Sequence, residues 1–208
     1  MRTKIGALCI ILGVVMILAS GALYLNNQVE ATEAEEIAAE VLPQVMEQIP
    51  SVPPEDVLAE LLIPLEFLEP EDVEMTRGTI DGLDYVGYIS FPTLKLELPI
   101  LADWDYDLLT KGPCRYTGNL RTDDLVLMAH NYRKQFGRLS ELVLGDRVYF
   151  TDMDGIVTAY EVVGHDILPP NAVEEMTCGD YDLTLFTCTY GGKSRVTVYC
   201  DRTKGKFE

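Results

Sequence analysis

From Ile5 to Leu25 the chain runs IGALCIILGVVMILASGALYL, 21 residues without a charge. At about 1.5 Å per residue that stretch matches a hydrocarbon core of about 30 Å, so it can cross a membrane as one helix. Arg2 and Lys4 precede it and acidic residues follow, so the positive-inside rule leaves the N-terminus in the cytoplasm and the rest outside. Small residues at Leu18-Ala19-Ser20-Gly21-Ala22 also suit a signal-peptide cleavage site. An h-region of about 7–15 residues is shorter than this run, which favours an uncleaved anchor. The expectation is a single-pass protein of the cell membrane with its working domain extracellular.

The formal net charge of −18 is not spread evenly. Asn26 to Thr76 holds fourteen Asp and Glu and no Lys or Arg, which leaves the remainder close to neutral. A surface with no general basic character gives nucleic acid nothing to bind. Pro43, Pro50, Pro53, Pro54, Pro64 and Pro70 limit helix in this segment to short pieces. Ile37, Val41 and Val45 fall at helical spacing, as do Val57, Leu61 and Leu65 behind a Pro53-Pro54-Glu55-Asp56 start. The segment reads as an acidic stalk holding a domain off the bilayer, with a lid or docking arm as the alternative. It carries no candidate catalytic group, so it is expected to be dispensable for chemistry in solution. The division is 1–25 tip and anchor, 26–76 stalk, 77–208 domain.

Beyond Leu83 the texture is mostly β, with short branched and aromatic runs between turn residues: Tyr85–Phe91, Leu94–Ile100, Asp124–His130, Arg147–Thr151, Val157–Asp166, Asp182–Cys188 and Arg195–Asp201. Helical turns fit Tyr106 to Leu109 and Phe136 to Leu142. No long helix separates the strands, which disfavours a doubly wound parallel sheet and favours a closed or nearly closed antiparallel barrel of seven to eight strands with short helices.

Cys9 lies in the apolar run, and Cys114, Cys178, Cys188 and Cys200 show neither a CxxC nor a zinc-like spacing. His130 and His165 are the two histidines. His130 ends an apolar strand, Leu125-Val126-Leu127-Met128-Ala129. Cys188 ends another, Leu183-Thr184-Leu185-Phe186-Thr187, and a turn through Gly191-Gly192 returns the chain at Arg195. A thiol, an imidazole and a guanidinium at strand ends are the parts of a cysteine acyl-transfer site. Each alone has an ordinary explanation as packing, structural or surface residue. His165, within Val163-Gly164-His165-Asp166, reads as a surface or turn residue.

Thr184-Leu185-Phe186-Thr187-Cys188 followed by Arg195 resembles the TLxTC…R signature of the sortases, and Ala129-His130-Asn131 resembles their histidine motif. Gly87 through Ile100 is similar to the family's opening strands, and Gly145-Asp146-Arg147-Val148-Tyr149-Phe150 to its GDxVxF segment. His130-Asn131-Tyr132 with Phe136-Gly137 is more like the class B histidine region. The resemblance implies a sortase-like β-barrel behind a transmembrane helix. It also implies a transpeptidase that cleaves an LPxTG-type signal of exported proteins and passes the new carboxyl end to an amine of cell-wall precursor or pilin. Cys188 is then nucleophile, His130 general acid and base, Arg195 the substrate-orienting and oxyanion residue, and Thr187 a lining residue of the peptide groove. No metal or cofactor is implied. With ordinary pKa values of about 8.5 and 6.5, thiolate and imidazolium coexist in only about 1% of molecules near pH 7.5. A hydrolase of the same fold and a non-catalytic envelope-binding β-domain are the alternatives; the His-Gly-Cys-Arg grouping of an L,D-transpeptidase is absent.

Overall fold

The computed structural model describes residues 2–53, 74–178 and 180–203, with side chains from residue 6 onward. Helix α1 (Arg2–Gln48) leads into nine strands: β1 (Gly78–Ile80), β2 (Leu83–Phe91), β3 (Leu96–Leu101), β4 (Cys114–Thr117), β5 (Leu125–Ala129), β6 (Arg147–Asp152), β7 (Val157–Leu168), β8 (Leu183–Cys188) and β9 (Arg195–Arg202). Two short helices join them, α2 (Tyr106–Lys111) and α3 (Val173–Thr177), and Phe136–Glu141 forms a 3₁₀ turn. Asp105 caps α2 by accepting from the Leu108 amide at 2.6 Å.

The strand order is β1-β2-β3-β4-β5-β8-β9-β7-β6, and β6 pairs back onto β2. Eight strands therefore close a barrel, with β1 added against the start of β2. Closure brings β2 so near β6 that a Cβ on Gly87 would sit 2.0 Å from the Thr151 carbonyl oxygen, and Gly87 has φ +140°. Only glycine fits there. The interior is apolar, with Ile89, Phe91, Ile100, Leu125, Leu127, Phe150, Leu183, Leu185 and Val198 all sealed from solvent.

The barrel is not wholly antiparallel as the sequence suggests, because β5 pairs β8 and β3 pairs β4 in parallel. The excursion from residue 130 to 182, which contains β6 and β7, returns the chain to β8 from the same end as β5 and makes the first of these pairings possible. Both β1 and β4, absent from the sequence reading, are short, and a single ladder position joins β4 to β3.

Helix α1 differs most from expectation. It is one helix from the apolar run into the acidic segment and continues through Pro43, rather than short pieces. It is the one helix among the described residues long and apolar enough to span a membrane, and its side chains from 6 to 25 are all exposed. Further along, Ala34, Ala38, Val41 and Val45 are buried, a stripe at helical spacing. Val41 and Val45 pack with Ile80, Tyr85, Leu101, Leu109 and Met153. This half of α1 is thus a wall of the domain and not a free spacer. The expected second helical stretch at Val57, Leu61 and Leu65 lies outside the described residues.

Candidate active site

Strand pairing alone brings three of the sequence candidates together. In the parallel ladder β5–β8, Ala129 is level with Thr187, so the next residues, His130 and Cys188, leave adjacent strands at the same end. In the antiparallel ladder β8–β9, Cys188 is level with Arg195. Cys188 therefore has the imidazole on one side and the guanidinium on the other. Strand pleating turns alternate residues to one face, so Val126, Met128 and His130 share the outer face with Thr184, Phe186, Cys188 and Arg195. Leu125, Leu127, Leu183 and Leu185 fill the barrel on the other face.

Cys188 is half-buried and borders a cleft of about 310 Å³ that also touches Asn131, Ser140, Thr189, Tyr190 and Val196. Cys114 and Cys200 are sealed inside, and burial pushes the Cys114 thiol up to about 12 and the Cys200 thiol higher still. Cys178 is exposed at the end of α3, with its thiol toward the Glu175 carbonyl. The five cysteines are free thiols.

The turn after Cys188 is held by Thr189, whose amide donates to the Ser194 carbonyl at 2.9 Å and whose hydroxyl oxygen accepts from the Ser194 amide at 3.1 Å. Gly191 and Gly192 take the left-handed conformation at its tip. Nη1 of Arg195 donates to the carbonyls of Gly192 and Ser194 at 3.2 and 3.3 Å. Among the described residues Nε and Nη2 have no such partner, which leaves two nitrogens of the fork, with three N–H donors between them, for a ligand.

His130 is half-buried, and its ring stacks on that of Tyr132 with centroids 4.9 Å apart and planes 28° from parallel. Burial holds its pKa below the usual value, opposed by the negative charge of Glu30. Burial thus favours the neutral form of the imidazole. The loop folds back on itself, with the Phe136 amide donating to the His130 carbonyl at 3.2 Å. Gly137 lies so close to the Asn131 carbonyl that a Cβ would stand 2.3 Å from the oxygen. That backbone contact fixes where the histidine leaves its strand.

Thr187 is 3% exposed, and its hydroxyl donates to the Ala129 carbonyl at 2.8 Å. It borders the cleft, yet its one donor is already used to lock β8 to β5 directly beneath His130 and Cys188. His165 lies on β7 level with Val198, exposed, in a strand rather than a turn and away from Cys188. Two residues gained importance that motif spacing could not give. Tyr132 donates from its hydroxyl to Glu30 Oε2 at 3.1 Å across 102 positions of sequence, and nothing distinguishes Glu30 from the thirteen other acidic residues of its segment. Among the described residues no group of three or more His, Cys, Asp or Glu is arranged to hold a metal ion.

The outer face leading away from Cys188 is apolar. Val126 and Phe186 are buried there under Met176 of α3, with Met128, Leu168 and Tyr116 at the edge. Tyr116 meets Phe186 edge-on at 5.4 Å and Trp104 at 5.1 Å.

A family model described as the Sortase domain matches residues 89–203, more than half of the chain, including every strand-end residue above. The chain belongs to the sortase family. Sortase A of Bacillus anthracis is 28% identical over 126 residues, which cover 58% of this chain. This chain spans 60% of the length of that curated relative. Among solved structures, sortase C1 of Streptococcus suis superposes with a TM-score of 0.51 at 26% identity, covering 59% of this chain and 74% of that one. Clostridium perfringens sortase C, solved with its C-terminal cell wall sorting motif, superposes with a TM-score of 0.62 at 24% identity. The match covers 81% of this sortase and 100% of the clostridial chain, which establishes a shared fold.

Proposed function

We propose that this sortase is a membrane-anchored cysteine transpeptidase. His130 takes the proton of the Cys188 thiol as the sulfur attacks the scissile carbonyl of a sorting signal, and the leaving amine departs with that proton. A thioester to the carboxyl end of the cut protein remains on Cys188. An incoming amine then attacks the thioester, gives a proton back to His130 and releases the sulfur, so bonds and protons balance over the cycle. Nε and Nη2 of Arg195 donate to the oxygen that becomes negative in each tetrahedral intermediate. Residues 1–25 act as tip and anchor with the N-terminus in the cytoplasm, and the barrel works outside the cell.

One observation carries this reading: the registers Ala129 with Thr187 and Cys188 with Arg195 put thiol, imidazole and guanidinium on neighbouring strand ends of one face. The open cleft that Cys188 borders together with Asn131, Tyr190 and Val196 suits an extended peptide, in keeping with an LPxTG-type signal. The amine belongs to cell-wall precursor or to a pilin lysine.

The test is to incubate the protein with a library of LPxTG-like peptides, with and without an added amine, and to identify products by mass. Transpeptidation predicts amine-bearing product and a thioester on Cys188 that Cys188→Ala lacks while remaining folded. Carboxylate product alone at every amine concentration identifies a hydrolase. An active Cys188→Ala removes the nucleophile assignment.

A further inference from the structure

Two contacts tie α1 to the loop that follows His130. Tyr132 is 6% exposed and its hydroxyl donates to Glu30, while one turn further along the helix Lys134 pairs with Glu35 at 3.0 Å. The Tyr132 ring is in turn stacked on His130. We infer that Glu30 is a positioning residue for His130, acting through the Tyr132 ring. The inference rests on His130 serving as the general acid and base.

The physical argument begins with Tyr132. A tyrosine that buries its ring must find a partner for its hydroxyl, and here that partner is a carboxylate from a different element. The bond fixes the ring in the plane on which the imidazole lies. Burial pushes the phenol up to about 12, and the hydrogen bond to Glu30 and its charge act in the same direction. The helix cannot drift at this point, because Ala34, Ala38, Val41 and Val45 bury its next turns against the barrel.

The charge of Glu30 has a second effect. The groups around His130 are Cys188 at the end of β8, Arg195 at the start of β9, Tyr132 on its own loop and Glu30 from α1, with Lys134 neutralised by Glu35. Burial disfavours an imidazolium. Glu30 is the anion that favours it. Without Glu30, His130 holds its proton less well, and the step in which it protonates the leaving amine slows.

Having two histidines in the whole chain makes this directly measurable. Full-length protein in detergent, with ¹³C-labelled histidine, gives separate titration curves for His130 and for His165, which is exposed on β7 and serves as the internal reference. In Glu30→Gln the His130 titration moves to lower pH and that of His165 stays. In the same variant kcat for aminolysis falls about tenfold with KM unchanged, the scale of coupling between residues in contact. Glu30→Asp recovers part of both, and Tyr132→Phe loses the hydroxyl link and lowers kcat similarly. Lys134→Ala breaks the adjacent ion pair and changes neither. An unmoved His130 titration in Glu30→Gln overturns the inference and leaves the catalytic assignment intact. An equal shift in Lys134→Ala also overturns it, by making general docking the cause. Wild-type turnover in His130→Ala overturns the acid-base assignment and takes the inference with it.

Discussion

Thr187 hydrogen-bonds across to the neighbouring strand, and that single bond says much about how the site is held. Its hydroxyl meets the Ala129 carbonyl inside the protein, so Thr187→Val leaves a buried acceptor short of one partner. The expected cost is about 1–3 kcal/mol, read as a lower melting temperature, and Thr187→Ser should recover most of it. Arg195 makes the opposite kind of prediction. Two of its nitrogens are uncommitted, so Arg195→Ala should lose about a hundred- to a thousand-fold in kcat, with the fold intact by circular dichroism. Arg195→Lys keeps the charge but not the planar fork and should stay nearer to Ala than to wild type. Asp152 illustrates a group whose setting works against it. Burial raises its carboxyl from 3.8 to about 6, although the amides of Asp154 and Ile156 donate to it at 3.0 and 2.8 Å. A raised carboxyl favours the folded state below pH 3.8 and forfeits that contribution as pH climbs through about 6. Asp152→Asn should therefore be the more stable protein at pH 7 in chemical denaturation, with the advantage shrinking toward pH 4. His130 and Cys188 were legible in the sequence because an apolar run points at each, and Arg195 because a glycine turn returns the chain beside Cys188. The Thr187 bond was not, since a hydroxyl inside such a run gives no sign of which carbonyl it will meet.

At the level of elements, α1 divides what patterning can and cannot tell. Ile37, Val41 and Val45 announce a helical face, and Val41 and Val45 are buried on it. Patterning does not say whether such a face meets the same chain, and the acidic character around it pointed to solvent. The helix also tolerates Pro43, which gives up one backbone bond where a neighbouring surface supports the rest. Val45→Ala removes two methyl groups from a sealed site and should cost about 2 kcal/mol. A fragment beginning at residue 74 should be less stable than the whole and should have a His130 that titrates at lower pH, contrary to the expectation that this segment is dispensable. Strands β1 and β4 escaped notice for a different reason, being too short for alternation to register.

For the molecule as a whole, closure of the barrel was legible from strand number and the lack of long helices between strands. The pairing of β5 with β8 was not, because it joins segments more than fifty residues apart in parallel, and no turn signal specifies such a partner. Yet that one pairing assembles the site. Helix α1 adds a dimension that the barrel lacks. The apolar run ends at Leu25 and Glu30 already touches Tyr132, five residues on, or about 7.5 Å along a helix. With the run seated in a bilayer, the catalytic face has a fixed working height close to the headgroups, set by a strut rather than by a tether. Such an enzyme has almost no reach. On the proposed anchoring, that height would suit substrates whose cleavage point emerges right at the lipid surface and an acceptor carried on a lipid. Inserting seven residues after Asn27, two helical turns that preserve the docking face, should leave turnover of a soluble peptide unchanged and depress processing of a membrane-embedded substrate in the same vesicles. Distance from the membrane would then be as much a part of its specificity as the shape of the cleft.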